Sequence, residues 1–180
     1  MTSAFFPRGF MWDEGFHQLL ISSWDIAITR DILAHWLDLM NSAGWIPREQ
    51  ILGAEARSRV PDEFVVQPPD NSNPPTWFLV VEDILDKIDA GSYSPLEKKE
   101  NVEFLKGSFV RFEAWFGWFQ LNQNGPTSDT FRWRGRRFFF FFFFVKRKRI
   151  HTHTHTHIYI YINGYNVFCL TQTYVHLCSH

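Results

Sequence analysis

Two short segments of this chain mix the side chains that can grip a sugar and move a proton. The first is Phe5-Phe6-Pro7-Arg8-Gly9-Phe10-Met11-Trp12-Asp13-Glu14-Gly15-Phe16-His17. In it Arg8, Trp12, Asp13, Glu14 and His17 stand among aromatic rings at the entrance to a predicted helix. Aromatic faces stack on the apolar faces of sugar rings, while carboxylates and guanidinium groups exchange hydrogen bonds with hydroxyls. A carboxylic acid held among Trp and Phe also has a raised pKa, which a general acid working near neutrality requires. The plainer reading is that Asp13 and Glu14 merely favour the positive end of the helix beginning there. Composition leaves the two readings even.

The second segment is Trp45-Ile46-Pro47-Arg48-Glu49-Gln50-Ile51-Leu52-Gly53-Ala54-Glu55-Ala56-Arg57, in which Trp45, Arg48, Glu49 and Glu55 repeat the mixture. A solvated surface with weak internal ion pairs would look similar. That reading loses force because the same mixture occurs twice, separated by one helix of hairpin length. Other chemistries are not written here. There is no Gly-rich phosphate loop, nucleophile elbow or paired-His helix motif, so neither a cofactor nor a metal site is expected. A formal charge of −1 argues against a nucleic-acid partner.

The elements that must position these residues are helical. Thr29 to Asn41 places Ile32, Leu33, Trp36, Leu37 and Met40 on one face, with Gly44 as the terminating glycine. Thr76 to Ala90 starts with Thr76 as N-cap, carries Trp77, Val80, Val81, Ile84, Leu85 and Ile88 on one stripe, and closes at Gly91. Ser94-Pro95-Leu96-Glu97 is a capping box with proline in the first turn. Behind it Val102, Leu105, Phe109, Phe112, Phe116 and Phe119 recur at helical steps until Asn124-Gly125-Pro126. A fourth, shorter helix is expected over Glu14 to Ser23. Trp45 to Asn73 is a proline-bearing, polar stretch longer than an ordinary connection, and such loops are usually functional. No strand-turn-strand pattern appears before residue 137. The architecture reads as all-α, helical hairpins with long polar loops on one side, and four such helices alone would leave apolar faces uncovered.

From residue 137 the sequence changes character. Phe138 to Phe144 reads as a translated T-tract, Lys146-Arg147-Lys148-Arg149 as an A/G-rich tract, His151 to His157 as a CA repeat and Ile158 to Ile162 as a TA repeat. Four simple nucleotide patterns in succession point to read-through of non-coding DNA. Residues 1–136 are therefore expected to carry the function, and 137–180 to be a low-complexity tail, disordered or prone to β-association. Alternating histidines can bind a metal, and a basic run can serve as a nuclear signal, but the repeat reading accounts for both. Phe138 to Val145 is far short of the ~20 apolar residues that span a bilayer. Both cysteines, Cys169 and Cys178, lie in the tail, so residues 1–136 carry no redox-compartment signal. Thr2 to Gly9 lacks the apolar region of a signal peptide.

The strings Phe6 to His17 and Gly44 to Arg57 closely resemble the processing α-glucosidases of glycoside hydrolase family 63. The likeness continues through Val60-Pro61, Asn73-Pro74-Pro75-Thr76 and Arg132-Trp133-Arg134-Gly135-Arg136, and then stops where the repeats begin. It implies a partial (α/α)6 toroid and an enzyme that removes the terminal α-1,2-linked glucose from the Glc3Man9GlcNAc2 N-glycan precursor with inversion. It implies that Asp13 is the general acid, and that the general base is a glutamate from sequence outside this chain. An N-glycan oligosaccharide is then the partner, and the lumenal side of the endoplasmic reticulum membrane the location. Family members are membrane-anchored in full, although this chain carries no membrane segment. Inversion needs an acid and a base with carboxyls about 6.5–9.5 Å apart. Glu49 and Glu55 are candidates to line the sugar pocket, and neither is promoted to base. The chain alone is thus expected to be poorly folded and without turnover. The alternatives are a catalytically dead sugar-binding fragment and a truncated product without function.

Overall fold

Two helical hairpins standing side by side organise the chain up to residue 122, and their register can be read from the polar contacts between them. The computed structural model describes residues 6–125, 131–134, 140–149, 156–162 and 165–166. Its elements begin with strand β1 (Gly9–Phe10), helix α1 (Met11–Ile21), helix α2 (Ile26–Asp38) and strand β2 (Glu49–Gln50). Helix α3 (Gly53–Ser58), a 3-10 turn (Asp62–Phe64), helix α4 (Trp77–Asp89) and helix α5 (Pro95–Asn122) follow.

The helices begin where local chemistry or a distant partner satisfies their first amides. α1 starts three residues before the expected Glu14, although Phe10 provides no side-chain cap. The carbonyl of Arg48 takes the Met11 N–H at 2.9 Å instead. That cap lies 37 positions away in sequence and is invisible to a local reading. α2 also starts early, at Ile26, because Asp25 Oδ1 accepts from the amides of Ala27 and Ile28 at 2.9 and 3.2 Å. α4 spans nearly the expected residues with Thr76 in the N-cap position, but the Thr76 side chain makes no capping bond to the helix. Its hydroxyl donates to the Trp12 carbonyl at 2.7 Å, tying the start of α4 to α1. The α4 C-terminus closes on Gly91 as expected, with Gly91 N–H bonded to Ile88 O and Ser92 N–H to Lys87 O. The capping box of α5 forms as read, with Glu97 N–H donating to Ser94 Oγ and Ser94 N–H to Glu97 Oε2.

The apolar stripe expected on α5 faces the core at Leu105, Phe112 and Phe119, with Val102 and Phe116 packed against it, and departs only at Phe109. Leu105, Phe112, Trp115, Trp118 and Phe119 are buried together with Asn101 and Ser108, whereas Phe109 is 39% exposed. Trp115 and Trp118 widen that face beyond the residues the period marks. Gly44 does not terminate α2, which ends at Asp38 with Leu39 as its cap. It lies in the following turn with φ +87°, and a Cβ there would come within 2.4 Å of the Ala114 carbonyl on α5.

Gln18, late in α1, receives a hydrogen bond from Thr29, early in α2, so these helices are antiparallel. Thr76 at the start of α4 meets Trp12 at the start of α1, and Asp83 lower on α4 accepts from Ser22 at the end of α1. α1 and α4 therefore run parallel. Arg30 of α2 reaches Asn101 and Glu100 of α5, and Asp38 pairs with Arg111, so α2 and α5 run parallel too. Gly15 lets α1 approach this closely, since a Cβ there would lie 2.1 Å from Thr76 Oγ1.

The core between the four helices is aromatic. Trp77 and Trp115 are essentially inaccessible, Phe78 stacks on Trp115 at 5.1 Å, and Trp36 lies 6.4 Å from Trp77. Truncating either Trp to alanine would cost about 3–5 kcal/mol by the usual cavity penalty. Among the described residues no helix is long and apolar enough to cross a membrane.

Beyond α5, β3 (Phe131–Arg134), β4 (Phe140–Arg149), β5 (Thr156–Ile162) and β6 (Tyr165–Asn166) form an antiparallel sheet in that order. Over these segments the backbone is extended and paired within the chain, in keeping with the strand propensity of aromatic and β-branched residues. Cys169, Cys178 and most of the His/Thr repeat lie outside the described residues.

Candidate functional site

The two sequence segments singled out for their chemistry are brought together by a strand pair of only two rungs. β1 and β2 are antiparallel, with Gly9 opposite Gln50 and Phe10 opposite Glu49. This long-range pair left no hairpin signature in the sequence. It sets the first turn of α1 beside Arg48 and β2. Because α1 and α4 are parallel, their N-termini share this end of the molecule, and both helix dipoles favour negative charge or a hydrogen-bond acceptor there.

Arg8 and Glu49 meet directly. Arg8 Nε donates to Glu49 Oε2 at 2.6 Å, and both side chains are about nine-tenths buried. The Arg8 guanidinium also lies over the Phe10 ring at 4.7 Å and near Phe6 at 5.7 Å. Its Nη1 is buried with no hydrogen-bond partner among the described residues. A charge pair this dry is held in one geometry by its surroundings, and removing either partner would strand the other.

Trp12 is half-buried and packs edge-on against Phe16 at 5.7 Å. Beside it Asp13 projects from the first turn of α1 toward solvent. Partial desolvation by the surrounding protein is the largest influence on its carboxyl and lifts its pKa above the ordinary 3.8. The nearby Glu14 charge adds to the rise, while its own backbone amide, the positive charge on His17 and a Trp12 contact work against it. Glu14 is engaged elsewhere. Its Oε1 accepts from Gln18 Nε2 at 2.6 Å, and its Oε2 lies a long 3.5 Å from His17 Nδ1. Through the fully buried Gln18 it connects to Thr29 on α2.

The loop side of the site is fixed by amides. Trp45 is held through Nε1, which donates to the Asn71 carbonyl at 2.7 Å. Arg48 Nε donates to Asn73 Oδ1 at 2.9 Å, and Asn73 Nδ2 points back to the Arg48 carbonyl at 3.4 Å. Gln67 bridges Glu49, accepting from its N–H at 2.9 Å and donating to its C=O at 2.7 Å. Glu55 stands apart. It is exposed in the first turn of α3, and its carbonyl accepts from Ser58 Oγ. No hydrogen bond or ion pair of its carboxylate joins it to the other candidates among the described residues.

Of the nine residues expected at the site, Arg8, Trp12, Asp13, Glu14, His17, Trp45, Arg48 and Glu49 are thus gathered around α1, β1, β2 and the loop beneath, and Glu55 is not tied to them. Gln18, Gln67 and Asn71 carried no signal in the sequence, since a lone amide in a helix or loop looks like solvated surface. Asn73 sits in a stretch that carried the family resemblance, with nothing in its type to assign a role, and Thr76 was legible only as the N-cap of α4. Among the described residues no group of three His, Cys, Asp or Glu side chains could hold a metal.

A carboxyl with raised pKa on an exposed helix turn, beside Trp12 and at the same end of α1 as the Arg8–Glu49 pair, can donate a proton to a ligand oxygen, with groups nearby that bind hydroxyls. Comparison with known proteins points the same way. The family model for the glycosyl hydrolase family 63 C-terminal domain matches residues 2–144. The chain is 60% identical over 135 residues to mannosyl-oligosaccharide glucosidase GCS1 of Arabidopsis thaliana, covering 75% of this chain and 16% of that protein. It is 52% identical over 131 residues to Alpha-glucosidase 2 of the same plant, covering 73% and 17%. To the mannosyl-oligosaccharide glucosidase of Saccharomyces cerevisiae it is 34% identical over 179 residues, covering 76% and 22%. The chain spans between about a sixth and about a fifth of the length of these relatives. A family match over most of the chain, joined to these identities, shows that it belongs to glycosyl hydrolase family 63 and corresponds to part of that family's C-terminal domain.

Proposed function

We propose that this chain carries the acid half of an α-glucosidase site, with Asp13 as the general acid. The reaction is removal of the terminal α-1,2-linked glucose from the triglucosylated N-glycan precursor, with inversion at the anomeric carbon. The observation that carries the reading is the placement of Asp13. It is the carboxyl at the shared N-terminal end of α1 and α4 whose pKa is raised, and Trp12 stands beside it. The names of the relatives, three of them mannosyl-oligosaccharide glucosidases, support the substrate class. N-glycan processing on the lumenal side of the endoplasmic reticulum is the corresponding setting. The side-by-side hairpins, with like helices parallel, support a segment of an (α/α)6 toroid.

In this reading Asp13 protonates the glycosidic oxygen as the bond breaks, and a second carboxylate deprotonates the attacking water on the opposite face. Glu14 and Glu49 are both engaged within the site, with Gln18 and with Arg8. Neither is assigned the base role, and Glu55 has no tie to Asp13. Arg8, Trp12, Glu14, His17, Trp45, Arg48 and Glu49 shape and line the glucose subsite. With no carboxylate here assigned as base, a polypeptide of these 180 residues is expected to release no glucose, and sugar binding without turnover is the alternative reading to test.

The test has two arms. In a protein that contains this segment together with the remainder of the family's catalytic domain, proton NMR of the released glucose should show the β-anomer first. Asp13→Asn should lower turnover by about 10³-fold, in the range of general-acid removal, with little change in substrate affinity. Unchanged turnover in that variant removes Asp13 from the acid role. For the 180-residue chain, titration with an α-1,2-linked glucose disaccharide should show saturable binding and no released glucose.

A further inference from the structure

We propose that the loop amide of Asn73 is a positioning residue of this site, acting through Arg48, with Gln67 doing the same for the adjacent Glu49. The inference rests on the sugar-site reading given above. Its basis is the pairing of two amide clamps on two consecutive residues, Arg48 and Glu49, where the chain enters β2. Asn73 is 4% exposed and addresses Arg48 twice, taking a hydrogen bond from Nε at 2.9 Å and reaching the main-chain carbonyl at 3.4 Å. Fixing both ends of one residue removes the rotation by which a long side chain would otherwise sweep. Gln67 does to Glu49 what a third strand would do, satisfying its N–H and its C=O at 2.9 and 2.7 Å.

The consequence reaches across the site. β2 has only two residues and cannot hold its own register through pairing with β1 alone. The amides from the 67–73 loop fix its outer edge. That keeps Glu49 on Arg8 at 2.6 Å and keeps the Arg48 carbonyl on the first amide of α1 at 2.9 Å. The helix turn that bears Asp13 is thus registered against Arg48 by the same loop that orients the Arg48 guanidinium. A planar, five-donor guanidinium recognises adjacent hydroxyls or a carboxylate only when its plane is set. Asn73 sets it at one edge.

The experiment compares Asn73→Ala, Asn73→Asp and the parent chain by titration with the α-1,2-linked glucose disaccharide. Melting temperatures by circular dichroism are recorded in parallel. Asn73→Ala is expected to weaken binding tenfold or more. Asn73→Asp, which keeps an oxygen facing Arg48 Nε, is expected to return affinity to within threefold of the parent. In an Arg48→Ala background, Asn73→Ala should cause no further loss. Equal losses in the Ala and Asp variants that follow their melting temperatures would overturn the proposal in favour of a purely structural role. If the parent chain binds no disaccharide, the sugar-site reading falls, and solvent exchange of the Arg48 Nε proton then decides the clamp by itself. Slow exchange in the parent and in Asn73→Asp, at least tenfold faster in Asn73→Ala, supports it, and equal rates in all three refute it.

Discussion

Asp13 sits where several small electrostatic influences meet, and their order explains its chemistry. Desolvation by the surrounding protein is the largest, and it favours the protonated form that an acid needs before it acts. His17, one helical turn away, pulls in the opposite direction when charged. Replacing His17 with alanine removes that pull, so the Asp13 pKa is expected to rise further. An NMR titration of the Asp13 carboxyl carbon in parent and His17→Ala chains checks this, and a fall would contradict the assigned sign. The Arg8–Glu49 pair follows a different rule. Its two buried charges are compensated by each other, and the guanidinium is further satisfied by the Phe10 ring. These roles were partly legible in the sequence, because aromatic neighbours around a carboxyl are visible there. That Arg8 chooses Glu49 is not, since 41 positions separate them.

At the scale of elements, the start of α5 gives the clearest link between local sequence and stability. Ser94 and Glu97 close a reciprocal capping box at the head of a 28-residue helix. Ser94→Ala should destabilise the chain by about 1 kcal/mol, read as a lower urea midpoint. The same box makes a pH prediction. Bonds from the Ser94 hydroxyl and amide hold the Glu97 carboxyl below its ordinary value of 4.5. Its contribution is therefore fully present above pH 4.5 and is lost as the pH falls through the lowered folded-state value. Glu97→Gln should flatten that acid limb, and an unchanged limb would show that other carboxylates dominate it. This element was readable in full from four residues. The start of α1 was not, because its cap is the carbonyl of Arg48.

For the whole molecule, the unfinished side is as informative as the core. α1 is covered by α2 on one side and by α4 on another, and what remains carries Phe16 and Leu20, 40% and 78% exposed. Trp24 in the following turn is 80% exposed and Ile28 on α2 is 37% exposed. An apolar face of this kind invites association. Sedimentation of the 180-residue chain should depend on concentration, and a Leu20→Glu, Trp24→Glu double variant should reduce the associated fraction by about half or more while keeping its helicity. Loss of helicity in that variant would mean the patch belongs to the fold of the chain itself. The helices and most of the buried stripe of α5 were legible from apolar periodicity, but the burial of Trp115 and Trp118 and the exposure of Phe109 were not. Trp115 lies on the face that meets Phe78 of α4, stacked at 5.1 Å, and Phe109 lies on a different face of the helix.

The sequence by itself determined the helices, their caps and stops where these are local, and the family. Each depends on residue types within a few positions of one another: a capping box, a 3.6-residue stripe, a contiguous motif. Only the tertiary structure decided that the two reactive segments meet through two rungs of strand, and that Arg8 pairs with Glu49. It alone showed the amides of Gln67 and Asn73 clamping that strand, and Glu55 standing apart from the rest. These outcomes depend on which distant groups a buried donor or acceptor finds, and no local pattern encodes that choice, because a buried amide can be satisfied by any partner the fold brings within about 3 Å.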